Sequence, residues 1–168
     1  RPVRSAVMGS TGSAADDAAL AGYASDLVRA LDGALAGWVE RRVAEVADRW
    51  RPGTGAALAA EAAAAGERAR AEVVPRLEAL LAADVDQQRT GPLDLVRAAV
   101  VHPTAVLVAA GVPPADSDDF SRRPFPDDLY DLAPASFADI HPDLAGPGIA
   151  WGAAKAHVVM ARRRRPGP

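Results

Sequence analysis

The chain has 168 residues, a formal net charge of -3, 49% hydrophobic residues and no cysteine. That length suits one domain with a core of its own, and the missing thiols exclude cysteine catalysis, thiolate metal sites and disulfides together. Lys155 is the sole lysine and asparagine is absent, a bias towards Ala, Gly, Pro and Arg that fits a GC-rich genome and accounts for much of the Ala and Arg content.

Residues 1–13 hold two arginines and no continuous apolar core of the signal-peptide kind. They are expected to be a flexible segment on a cytoplasmic protein, with Met8 a candidate natural start. A first long helix is expected over 14–50, with Ser13 as N-cap and Asp16 and Asp17 favouring its positive end. Leu20, Ala24, Leu27, Leu31, Leu35, Val39, Val43, Val46 and Trp50 form its apolar stripe. Their mean spacing is above the 3.5 residues of a left-handed heptad seam, which predicts a nearly straight packed helix.

Pro52-Gly53-Thr54-Gly55 ends that helix, and a second is expected over 56–87. Leu58, Ala62, Ala65, Ala69, Val73, Leu77 and Leu80 mark its inner face. Pro75 predicts a kink or break near Ala71 to Val74. The two helices should form an antiparallel hairpin whose Ala-rich seam lets the backbones approach. Because such a layer buries little surface, and because Trp38 and Trp50 need cover, the hairpin is expected to self-associate as a homodimer.

Over 92–110 either one kinked helix or two short helices are expected, opening on Pro92, interrupted at His102-Pro103 and closed by Gly111 in a left-handed conformation. Seven prolines between 113 and 147 then exclude a long helix and leave a strap over 111–147, with short turns at 126–130 and 136–140. A last helix is expected over 148–161, presenting Ile149, Trp151 and Val158, followed by a basic tail over 162–168. With no strand-like alternation anywhere, the fold class is all-α: a long antiparallel helical hairpin extended into a bundle, with a Pro/Asp/aromatic-rich strap and a short C-terminal helix.

The charge is unevenly placed. Residues 111–145 carry eight Asp against Arg122 and Arg123, whereas residues 146–168 carry only basic charge, from Lys155 and Arg162 to Arg165. This polarity predicts either docking of the tail on the acidic strap or two separate binding surfaces. Four adjacent arginines on an acidic protein make a nucleic-acid function unlikely, and no apolar run reaches the length of a membrane span.

Specific chemistry is scarce. His102, His141 and His157 lack the spacing of a helical metal pair and read as turn caps or half-buried hydrogen-bonding groups. Ser13, Ser25 and Ser136 lack any triad context. Asp116-Ser117-Asp118-Asp119 with Asp127 faintly follows a calcium loop, but Phe120 stands at a ligand position and Ser121 replaces the turn glycine. Asp127, Asp128 and Asp131 read as an acidic first turn rather than a divalent-ion face. No catalytic residue, metal or cofactor is therefore assigned. The strap aromatics Phe120, Phe125, Tyr130 and Phe137, with Trp151, are the candidate ligand or partner residues, and Arg162, Arg163, Arg164 and Arg165 the candidate electrostatic contacts.

The phrases Val112-Pro113-Pro114, Phe125-Pro126-Asp127-Asp128-Leu129-Tyr130, Pro134-Ala135-Ser136-Phe137-Ala138-Asp139 and Trp151-Gly152-Ala153-Ala154-Lys155-Ala156-His157 resemble the tail of a family of uncharacterised actinobacterial helical proteins. The resemblance spans about residues 92–163, agrees with the GC-rich composition and implies no activity. The expected function is a non-catalytic adaptor or regulator working through protein contacts. A helical sensor holding a small apolar ligand beneath the strap is the alternative, and an enzyme using strap carboxylates comes third.

Overall fold

The computed structural model describes residues 11–115, 125 and 128–164. Among these residues there is no strand, and the helices pack as an all-α bundle. Helix α1, Thr11–Trp50, is the spine. It begins before Ser13, so Ser13 is not its N-cap. A short helix α2, Thr54–Ala57, turns the chain into α3, Ala59–Ala82, which runs back antiparallel along α1.

Burial follows the apolar periodicity closely. Leu27, Leu31, Leu35, Val39 and Val43 are fully inside, facing Ala65, Ala69, Val73 and Leu77 of α3. Trp38, only 1% exposed, is covered within the single chain, so it supplies no argument for self-association. Trp50 lies at the rim with the Arg51 guanidinium over its ring. The closest approach is at Gly66, where a Cβ would stand 2.7 Å from the carbonyl oxygen of Ala36. Arg70, pairing with Asp32 across the seam at 2.8 Å, fixes the same register.

Pro75 does not break α3. Both Pro75 and Ala71, whose carbonyl loses its helical donor, face solvent, where water satisfies that oxygen. The helix instead stops at Ala82, short of the expected Gln87. Beyond it the Asp84 carboxylate accepts the Asp86 amide and starts a 3₁₀ turn, Val85–Gln87, a local bond that competes with helix continuation.

Of the two expected alternatives the chain takes the two short helices, α4 (Pro92–Ala98) and α5 (Val101–Ala109). Asp94 accepts the Gly91 amide and closes the first turn of α4. The break falls at Ala99 and Val100, not at His102-Pro103. Pro103 occupies the third position of α5, where an amide would have no intrahelical partner, so its missing donor is harmless. Gly111, at φ 72°, ends α5 as expected, and Val112 then bonds back to Leu107.

By length and composition the stretch Pro92–Ala109, with a mean hydropathy of 1.4, is long and apolar enough to cross a membrane. It carries Asp94 and Arg97, is interrupted at Ala99 and Val100, and packs against α1 and α3.

Within the strap, α6 (Phe137–Ile140) and a 3₁₀ turn (Pro142–Leu144) lead into α7, Ala145–Arg163. This last helix starts three residues earlier than expected and absorbs Arg162 and Arg163, which are helical rather than part of a tail. It lies antiparallel on α1, with His157 beside Asp16 and Arg162 beside Asp17. Trp151 and Val158 point inward, whereas Ile149 is 73% exposed.

Candidate functional site

Among the described residues of the strap several backbone carbonyls take their hydrogen bonds from side chains of the bundle. Arginines of the bundle supply them. Arg41 donates to the Ile140 carbonyl at 2.8 Å and Arg42 to that of Asp131 at 2.9 Å. Arg97 of α4 donates to Pro134 at 3.1 Å and to Ala135 at 3.3 Å, and its guanidinium lies 4.7 Å from the centre of the Phe125 ring. Arg content that composition alone attributed to genome bias thus has a structural task.

The same fastening absorbs the described strap aromatics. Tyr130 is buried and donates its hydroxyl to the Val112 carbonyl at 2.7 Å. Burial pushes its phenol above the ordinary tyrosine range. Phe137 is half-buried and lies directly on Gly148 of α7, so closely that a Cβ there would collide with the ring. Trp151 is buried with Lys155 5.1 Å from its ring centre, and its indole nitrogen has no hydrogen-bond partner. Phe125 is half-buried under Arg97. Phe120 lies outside the described residues, as do Asp116, Asp118, Asp119 and Asp127 of the weak calcium pattern.

Asp128 is buried and accepts the Ala133 amide, which makes it a turn residue of the strap. Asp139 accepts the amides of Ala135 and Ser136 and caps α6. Among the described residues no group of three or more His, Asp or Glu side chains gathers to hold a metal ion. The histidines are separate: His102 meets Glu72 at 2.7 Å, His141 accepts the Asp143 amide, and His157 stands 3.5 Å from Asp16. Ser25 donates to the Ala21 carbonyl one turn back.

Among the described residues, the acids on which Arg162 docks lie outside the strap. Arg162 reaches Asp84 at 2.7 Å, Asp86 at 3.2 Å and Asp17 at 3.6 Å, tying α7 to the end of α3 and the start of α1. These contacts hold the guanidinium protonated beyond its ordinary range. The Asp84 carboxyl is held below its ordinary value, first by the Asp86 amide and then by Arg162. Arg163 and Arg164 are exposed, and Arg165 lies outside the described residues.

Among the described residues, grooves of about 300 to 380 Å³ open between α1 and α3, between α3 and α5, between α1 and α7 and between α1 and the strap, and Phe125, Tyr130, Phe137 and Trp151 line none of these. One, of about 310 Å³, runs between α1 and α7 and is lined by Asp16, Ala19, Tyr23, Ala150, Ala153 and His157. Beside it Ile149, Ala153, Ala156 and Met160 stand exposed on α7 at intervals of 4, 3 and 4 residues. Such spacing puts them on one outward face. Tyr23 of α1, 42% exposed, borders the groove.

The chain matches no protein-family model, no curated protein and no solved structure.

The candidate residues therefore differ from those expected. The sequence pattern grouped Ile149 with Trp151 and did not single out Met160 or Tyr23. One signal was legible: Ile149 and Trp151 are two residues apart on a helix, about 200° around the axis, so they cannot both face the core.

Proposed function

We propose that this protein is a non-catalytic helical adaptor or regulator that acts through protein contacts, with the outer face of α7 as its contact surface. The observation that carries this reading is the exposed Ile149, Ala153, Ala156, Met160 stripe beside Tyr23. A helix face with two large apolar side chains more than half exposed, bordered by a shallow apolar groove, has the form of a seat for an amphipathic helix. Lys155, Arg163 and Arg164 add positive charge along the same helix, which favours a partner helix with acidic flanks.

We favour the adaptor over the sensor because Phe125, Tyr130 and Phe137 are engaged in fastening the strap. Enzyme chemistry has no converging donor set among the described residues on which to rest.

The test is site-specific photo-crosslinking from positions 149 and 160 in the native host, with position 29 on the far side of α1 as control. One discrete protein captured at 149 and 160 but not at 29, and lost from the purified pair on Ile149→Arg with helical content unchanged, supports the adaptor. Equal capture at all three positions, or binding indifferent to Ile149→Arg, removes it.

A further inference from the structure

On the opposite flank of the hairpin, α5 presents a different anomaly. From Ala98 to Ala115 the chain has no charged side chain, yet Val101 is 57% and Val108 55% exposed. Apart from His102 and Thr104 the helix is apolar, and its exposed valines are surface that favours cover. Next to it a groove of about 380 Å³ runs between α3 and α5, lined by Leu58, Glu61, Ala64, Arg68, Ala105 and Ala109 among others.

We propose that this α3/α5 face is the two-fold interface of a homodimer, in which Glu61 of each copy pairs with Arg68 of the other. This rests on neither the α7 face nor the adaptor reading.

The charge pattern selects a second copy as the occupant. Glu67, Arg70, Glu72 and Arg76 on α3 all have ion-pair partners within the chain. Glu61, Arg68 and Glu78 are exposed and have none among the described residues; Glu78 borders the α1/α3 groove, and Glu61 and Arg68 line the α3/α5 groove. They lie seven residues apart, two helical turns or about 10.5 Å along the axis. A two-fold axis crossing α3 beside Ala64 therefore brings Glu61 onto Arg68 of the second copy and Arg68 onto its Glu61. One pair of residues yields two identical salt bridges, the self-complementarity that an isologous contact requires.

Small residues at the centre, Ala64 and Ala109, allow close approach. His102 reaching Glu72, with Ala109 and Ala110 towards Leu58, sets α5 antiparallel to α3. The same axis then carries Val101 of each copy over the Leu58 end of the other copy's groove, covering apolar surface that the single chain leaves wet.

The experiment is analytical ultracentrifugation of the full chain from low to high micromolar concentration, for the wild type, Glu61→Arg, Val108→Asp and the swapped Glu61→Arg/Arg68→Glu. The wild type should dimerise. Glu61→Arg should weaken dimerisation by about tenfold or more, since two attractions become repulsions, and the double swap should recover most of it. Val108→Asp should be monomeric with unchanged helical circular dichroism. A wild-type monomer throughout the range would overturn the proposal, as would a dimer indifferent to both Glu61→Arg and Val108→Asp. A monomer that co-sediments with phosphatidylcholine vesicles and loses them on Val108→Asp would assign the face to lipid instead.

Discussion

Tyr130 and Val112 clasp the start of the strap to its middle: the buried phenol donates to the Val112 carbonyl at 2.7 Å, across 18 positions of sequence, and closes the chain between them into a loop. The Ala115 amide adds a second tie, to the Leu129 carbonyl at 3.0 Å. The loop is thus fastened at its base.

Tyr130→Phe keeps the ring and leaves a buried carbonyl unsatisfied, so it should cost about 1 to 2 kcal/mol in urea unfolding followed by tryptophan fluorescence. Because burial raises the folded-state phenol above its ordinary value of 10.0, the neutral form favours folding. This contribution is complete below about pH 10 and is lost as pH rises through the higher folded value. An alkaline decline identical in wild type and Tyr130→Phe would show that the clasp does not titrate with folding.

Arg97 combines two carbonyl contacts, a pair with Asp94 and the Phe125 ring, which only a planar fork achieves together. Arg97→Lys keeps the charge and should still lose about 1 to 2 kcal/mol. It should also raise amide exchange at Ala135 and Ser136, measured by deuterium uptake. Exchange unchanged at those amides would mean that the strap holds itself.

Gly66 and Gly33 separate packing from helix propensity. At Gly66 a methyl would meet the backbone of Ala36, which cannot rotate away, so Gly66→Ala should destabilise by about 1 to 3 kcal/mol. Gly33 has open space around its Cα, so Gly33→Ala should stabilise by about 0.5 to 1 kcal/mol. Melting temperatures shifting in the same direction would contradict the close seam.

The Arg162 cluster predicts an acid-side signature. Since the folded Asp84 carboxyl is depressed, its contribution to stability is present above the ordinary value of 3.8 and is lost as pH falls through the lower folded value. The melting-temperature gap between wild type and Asp84→Asn should hold steady from neutral pH down to about pH 4 and close below it. A gap that closes already between pH 7 and pH 5 would point to another group.

The all-α class, the long hairpin, the Gly111 stop and most of the inner face from Leu20 to Val46 were legible in the chain, because they depend on near neighbours. Apolar side chains 3 to 4 residues apart share a helix face whatever surrounds it. A glycine at positive φ ends a helix by its own backbone freedom. Tertiary structure alone decided whether Pro75 faced water or the seam, and so whether it broke α3. It alone brought Gly66 onto Ala36, seated Phe137 on Gly148, and sent Arg41, Arg42 and Arg97 to carbonyls many residues away. It also gave Arg162 three aspartates outside the strap and turned Ile149 outward. These outcomes depend on which faces meet in space, and local periodicity carries no term for a contact between Arg42 and Asp131, 89 residues apart.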